Sequence, residues 1–218
     1  MKAVTSLVLQ CAAAVSVAAV ALPDGTQLAA APMEGYKIVP MQWEGVIKEG
    51  EAPVSLNGTI ESVIAQIKEL NPEFELAEEE EDDAVASSGL EARNPTHIIC
   101  DVGGSGYVDV KAARRENRYL RSLGNSVCGV NGGPGTCARV SCSYGDAIWL
   151  CNDNRHYIQP RCSYLADYVD RIISRCKSTT KSPPCTVRPC PPSWSAEFVR
   201  GQQFDSDHYN VIVGRSNC

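Results

Sequence analysis

The chain has 218 residues and carries 20 Lys/Arg against 26 Asp/Glu, for a net charge of −6. That total averages unlike parts, because residues 22–93 hold 16 acidic and 4 basic side chains while residues 94–218 hold 10 and 15. Ten of the 11 cysteines fall from Cys100 onward and none lies between Cys11 and Cys100, a distribution that excludes one uniformly acidic domain.

Met1-Lys2 gives the chain a positive start, Ala3 to Leu22 is an uncharged apolar run, and Ala19-Val20-Ala21 is the small-residue pattern that signal peptidase reads. Residues 1–21 are therefore predicted to be a secretory signal peptide. A run of about 20 apolar residues also suits a retained membrane anchor, but its Ala-rich composition and its place at the start favour removal. No later segment is apolar enough to span. A secreted protein of this kind oxidises its thiols, so Cys100, Cys128, Cys137, Cys142, Cys151, Cys162, Cys176, Cys185, Cys190 and Cys218 are expected as five disulfides. Neither a metal nor a cofactor is expected.

Residues 22–93 read as an acidic pro-segment. Tyr36 to Trp43 forms a short strand interrupted by Pro40. Ile60, Val63, Ile64, Ile67 and Leu70 follow helical spacing, with Thr59 as N-cap and Pro72 just past the end, which predicts a helix over about 59–70. Together they make a small folded unit at about 35–72. Asn57-Gly58-Thr59 is an N-glycosylation acceptor. Glu78 to Asp83 is a run of six acids, which repel one another, so residues 76–93 are expected to be a disordered linker. The linker ends at Leu90-Glu91-Ala92-Arg93, which resembles the kexin-type Leu-x-x-Arg site that separates pro-regions from mature domains in secreted fungal effectors. Cutting at the dibasic Arg114-Arg115 would separate Cys100 from the other nine cysteines, leaving an odd number after the cut, and would fall inside a predicted helix, so Arg93 is preferred. The alternative is an uncut chain. A pro-segment of this charge could also mask the basic part electrostatically.

Residues 94–218 read as the mature domain. Asp109 caps a helix from Val110 to about Leu123, stopped by Gly124. Its apolar positions are Val110, Ala113, Leu120 and Leu123; its polar side carries Lys111, Arg114, Arg115, Arg118 and Arg121, with Glu116 as its lone acid. Cys137 to Cys142 and Ala147 to Cys151 are predicted strands around a turn at Tyr144-Gly145-Asp146. Cys162 opens a second helix with Ser163 as cap, an apolar face at Leu165, Ala166, Val169, Ile172, Ile173 and Cys176, and Asp167, Asp170, Arg171 and Arg175 outward. Residues 177–195 are a loop tied down by Cys185 and Cys190. Glu197 to Phe204 and Tyr209 to Gly214 make a closing hairpin. The predicted fold class is α+β: a disulfide-rich antiparallel sheet with two helices, packed as an α/β sandwich. Cys162 and Cys176 lie 14 residues apart on one helix, roughly 21 Å, and cannot bond to each other. Cys137 and Cys142 are an odd number apart on a strand and are expected on opposite faces.

Three blocks carry a family resemblance: Ala138-Arg139-Val140 beside Cys142, the helix from Cys162 through Leu165 and Val169 to Cys176, and Arg200-Gly201-Gln202 leading through Tyr209-Asn210-Val211 to Asn217-Cys218. Over about residues 128–218 the chain resembles the secreted killer toxins of smut fungi and their relatives among fungal effectors. The helix between its cysteines and the final hairpin are both longer here. The resemblance implies an α/β sandwich and a secreted antagonist role. It does not carry over the lysine through which that family blocks calcium channels, since Lys111, Lys177 and Lys181 match no such position.

The candidate binding surface is the basic helix face, Lys111, Arg114, Arg115, Arg118 and Arg121, suited to an anionic membrane, a glycan, a channel mouth or another extracellular or host protein; its bland reading is a solvated flank. Glu197, Arg200 and His208, on adjacent predicted strands, are the alternative: small secreted ribonucleases use these residue types for acid–base cleavage. A serine hydrolase lacks its Gly-x-Ser-x-Gly elbow, Gly103-Gly104-Ser105-Gly106 lacks the register of a dinucleotide loop, and Asn152-Asp153-Asn154 lacks the remaining calcium ligands. The sequence is thus read as a secreted, monomeric, non-catalytic toxin- or effector-like protein, with a ribonuclease-like enzyme or an inhibitory cell-wall protein as alternatives.

Overall fold

Two long strands buried along most of their length set the frame. In a computed structural model that describes residues 31–76, 94–103, 105–182 and 193–218, β7 (Thr136–Ser143) and β8 (Asp146–Asn152) form the hairpin expected around Tyr144. They lie within a six-stranded sheet in the order β1-β7-β8-β12-β11-β4, where β1 is Lys37–Ile38, β4 Pro95–Cys100, β11 Gly201–Asp205 and β12 Tyr209–Arg215. All neighbours are antiparallel except β1, which runs parallel to β7, so the sheet is mixed at that edge rather than wholly antiparallel.

Three helices, α1 (Ile60–Leu70), α2 (Val110–Ser122) and α3 (Cys162–Cys176), line up across one face: α1 over β7, α2 over β8, and α3 over β4, β11 and β12. Each buries one stripe. Ile60, Val63 and Ile67 come from α1, Val110, Ala113 and Leu120 from α2, and Leu165, Val169 and Ile172 from α3; they meet Ala138, Val140, Ile148, Leu150, Val211 and Val213 of the sheet. The Asp109 carboxylate caps α2 as expected, accepting the N–H groups of Lys111 at 2.8 Å and Ala112 at 3.2 Å. At α3 the cap position belongs to Arg161, without a side-chain bond, so Ser163 lies one residue inside the helix rather than capping it.

Two small sheets close the flanks. One has the order β3-β2-β6, with β2 Gln42–Gly45, β3 Val54–Asn57 and β6 Val127–Gly129; the other has the order β5-β10-β9, with β5 Val108–Asp109, β9 Ser178–Lys181 and β10 Ser195–Val199. The first of these corrects the expectation of a separate folded unit at 35–72. Strand β2 is its middle strand and pairs with β6 of the cysteine-rich part, and Met41, Trp43, Ile60, Val63 and Ile67 belong to the common core. A short helix and three strands bury too little apolar surface to stand alone, so they complete a larger core instead. The second sheet splits the expected closing hairpin. The chain leaves β10 at Arg200 and enters the main sheet at Gly201, where a Cβ would lie 2.8 Å from Ile172 and 3.0 Å from the Cys176 sulfur. Only glycine lets the strand pass so close beneath α3.

Four disulfides lie among the described residues: Cys100–Cys176, Cys128–Cys162, Cys137–Cys151 and Cys142–Cys218. Cys185 and Cys190 lie outside them, as do the signal segment, Leu90 and Arg93. Cys162 and Cys176 bond elsewhere, as helix geometry requires. Cys137 and Cys142 do not pair, yet the stated reason was wrong. A register shift between Arg139 and Ser141 inserts an extra residue, so Val140 and Ser141 both face the helices, and Cys142 packs with Cys137, Trp149 and Ile212 on the opposite face.

Candidate functional site

An α-helix turns about 100° per residue, so the five cations of α2 spread over an arc of about 120°, with Arg115 at one edge and Arg121 at the other. Lys111, Arg114 and Arg118 are exposed, and Arg114 also makes a contact within the chain. Arg115 is half-buried and bends toward the sheet. Its guanidinium lies 3.3 Å from Glu116 Oε1, 3.5 Å from the Ser143 hydroxyl and 5.7 Å from the centre of the Tyr144 ring. Arg121, with 21% of its side chain exposed, turns away from the other cations, which corrects the five-residue stripe. It sits on the flank shared with Asn117, four residues earlier, facing α3. There it pairs with Asp170 and lies 2.9 Å from Asp167 Oδ1, while the Asn117 amide donates to Asp170 Oδ1 at 2.8 Å. Asp167 and Asp170 therefore point between the helices rather than outward.

Beside Arg115 stands Tyr144, 90% exposed at the tip of the β7–β8 hairpin. Its φ of 52° places it in the left-handed region, as a two-residue hairpin turn demands. The Tyr-Gly pair in the turn was the available signal for this side chain, but an exposed aromatic looks the same in sequence as one folded back on the core. Lys111, Arg114, Arg115, Arg118 and Tyr144 thus make the candidate surface: cations with an exposed aromatic ring that Arg115 approaches.

The residues of the ribonuclease reading are not brought together. Glu197 lies on β10 and pairs with Lys177 at 3.2 Å. Arg200 leaves the sheet edge for Asp101 Oδ1 and the Ser105 carbonyl, both at 2.5 Å, with the Tyr107 ring 4.4 Å away. His208 sits in the turn after β11 with φ 57°, its carbonyl accepting from Asp153 N at 3.0 Å. Arg200 and His208 flank the two ends of β11, whose five residues rise about 16 Å. Among the described residues no three His, Cys, Asp or Glu side chains are placed to hold a metal ion. Asn57 ends β3 and is exposed.

The most unusual chemistry lies beneath α2, where the sequence showed nothing but a lone acid. Glu116 is 1% exposed. Its carboxylate accepts from the Ser141 hydroxyl at 2.5 Å and from the Ser143 hydroxyl. Glu61, from the first turn of α1, enters the same site. Its Oε1 lies beside the Ser141 hydroxyl and accepts Cys142 N–H at 3.1 Å, whereas Oε2 is buried without a donor among the described residues. Burial and the hydrogen bond to Glu116 raise the Glu61 carboxyl above its ordinary range. Burial works against the Glu116 charge, but the bonds from Glu61, Ser141 and Ser143 and the nearby Arg115 outweigh it and lower that carboxyl. The opposed directions make Glu61 the carboxyl of the pair that takes up a proton first and Glu116 the one that keeps its charge. A signal for Glu116 did exist, since Ala112 and Leu120 bracket it at four residues on the buried face. For Glu61 there was none, because an acid in a first helical turn is ordinary.

The fold and this surface define a disulfide-rich α+β protein with a basic, aromatic-edged helix face. Comparison with protein-family models, curated proteins and solved structures finds no match to the chain.

Proposed function

We propose that this is a secreted, non-catalytic toxin- or effector-like protein that binds an anionic target through the outer face of α2. The observations that carry the reading are that Lys111, Arg114 and Arg118 are exposed on α2 and that Arg115 of the same helix lies 5.7 Å from the 90% exposed Tyr144 ring. Cations give long-range attraction and on-rate, and an exposed aromatic gives short-range contact area. Four disulfides fit an oxidising, extracellular setting, and no helix among the described residues is long and apolar enough to cross a membrane.

Removal of residues 1–21, cutting after Arg93 and a glycan on Asn57 belong to the same reading, as does the likeness to smut killer toxins. A target at a membrane, a glycan, an ion channel or another extracellular or host protein shares the required negative charge. The test compares growth inhibition of competitor or host cells by the secreted protein and by a variant carrying Lys111→Gln, Arg114→Gln, Arg118→Gln and Tyr144→Ala. These side chains are exposed, so the fold should persist and cell binding should fall at least tenfold. Unchanged binding and inhibition would return the face to ordinary solvated polarity.

A further inference from the structure

We propose that residues 36–76 remain in the folded protein as a non-covalently bound subunit once the chain is cut between Leu76 and Asn94. The proposal rests on the processing at Arg93 given above, and it differs from an electrostatic mask that falls away.

Once residues 1–21 are removed, the segment before the cut holds no cysteine that could link it covalently. No cysteine lies between Cys11 and Cys100, and the four disulfides join residues of the 100–218 part only. Two strand pairings nevertheless tie the segments together. Trp43 and Glu44 of β2 register with Cys128 and Val127 of β6. On β1, Lys37 N–H donates to the Gly135 carbonyl at 2.8 Å, and Val39 N–H to that of Cys137 at 2.9 Å. Met41, Trp43, Ile60, Val63 and Ile67 are each at most 2% exposed, in one cluster with Leu120, Cys128, Val130 and Val140. On the reverse face of the sheet, Tyr36 donates to Asp153 Oδ1 at 2.8 Å. Glu61 docks onto Ser141, the Cys142 N–H and Glu116 at the centre of the joint.

On the near side, Phe74 and Leu76 still pack against the common core, so the joint reaches to the last described residue before the cut. Asn94, at the far side, is exposed and its carbonyl accepts Ser206 N–H at 3.0 Å, so the order of β4 does not depend on the chain before it. Departure of 36–76 would uncover the edges of β6 and β7 along with the apolar floor under α1, a surface prone to pairing with other chains. Apolar burial and backbone pairing, not charge, hold the joint, so salt should not open it.

The experiment uses the full chain. Treatment with a kexin-type protease followed by intact-mass analysis decides whether Arg93 is cut, and failure there removes the processing reading alone. A second version carries the site of a sequence-specific protease in place of residues 86–92, so that the cut is certain. After cutting, gel filtration without reductant, in dilute buffer and in about 1 M salt, should return one species holding both pieces one to one. A denaturing, non-reducing gel should separate them. Pieces that elute apart in native buffer, or that separate in high salt only, would overturn the subunit; pieces that stay joined under denaturing, non-reducing conditions would do the same by showing a covalent link.

Discussion

Glu61→Gln should stabilise this protein at neutral pH, although it removes a charge from a site with two serine hydroxyls and an arginine. The Glu61 carboxyl is raised above its ordinary value of 4.5 by burial and by its bond to Glu116. The folded state therefore holds that proton more tightly than the unfolded chain. Its contribution is complete below the ordinary carboxyl range and is lost as pH rises through the raised value. Glu116 is lowered, so its contribution has the opposite sense, present above the ordinary value and lost as pH falls through the lowered one. The pair is thus most stabilising in the weakly acidic range where it keeps one proton, and it weakens toward neutrality. One proton changes stability by at most about 1.4 kcal/mol per pH unit. Glu61 is only half-buried and solvent trims the effect, which leaves on the order of 1 kcal/mol between about pH 4.5 and 7.5.

A glutamine amide donates to the Glu116 carboxylate at every pH, and its oxygen still accepts Cys142 N–H. The variant should then match wild type near pH 4.5 and exceed it by about 1 kcal/mol near pH 7.5. Arg115 on α2 and Asp146 on β8 also face the pair, and burial raises the Asp146 carboxyl as well, with Asp109 and Arg215 beyond it. Those groups are the same in both proteins, so the difference between the two curves isolates Glu61. Urea unfolding followed by tryptophan fluorescence is suited to the measurement, since Trp43 and Trp149 are fully buried. Midpoints of wild type and variant that fall in parallel from pH 4.5 to 7.5 would refute the raised Glu61 carboxyl.

Trp43→Ala should cost about 3–5 kcal/mol and lower the urea midpoint of the whole protein in one transition, because its ring lies in the common core; a separate early transition with an unmoved main one would show that 36–76 folds apart. Arg121→Gln should lower stability by about 2 kcal/mol, since it strips the buried Asp167 of its guanidinium partner, and should leave target binding unchanged; lost binding with intact stability would restore Arg121 to the recognition surface.

The sequence by itself determined the local elements and the redox chemistry. Helical spacing placed α1 at 60–70 almost to the residue, Asp109 marked the start of α2, and Pro40 broke the first strand between β1 and β2. These are short-range signals, set by backbone sterics and capping. The exclusion of a Cys162–Cys176 bond is local as well, a matter of helix rise alone. Other features depended on which surfaces meet. The charge change at Arg93 looked like a boundary between folding units, yet Met41, Trp43, Ile60 and Val63 find their partners across it. Net charge reports on solvation and not on core packing. A single-residue bulge in β7 reversed the facing of every later side chain in that strand, which no alternation rule foresees. The passage of Gly201 beneath α3 sent Glu197 and His208 to different places and removed the enzyme reading's geometry. Only the tertiary structure could turn Glu116 from a lone acid on a basic helix into half of a buried pair, because its partner Glu61 lies 55 positions earlier in the sequence and meets it through packing.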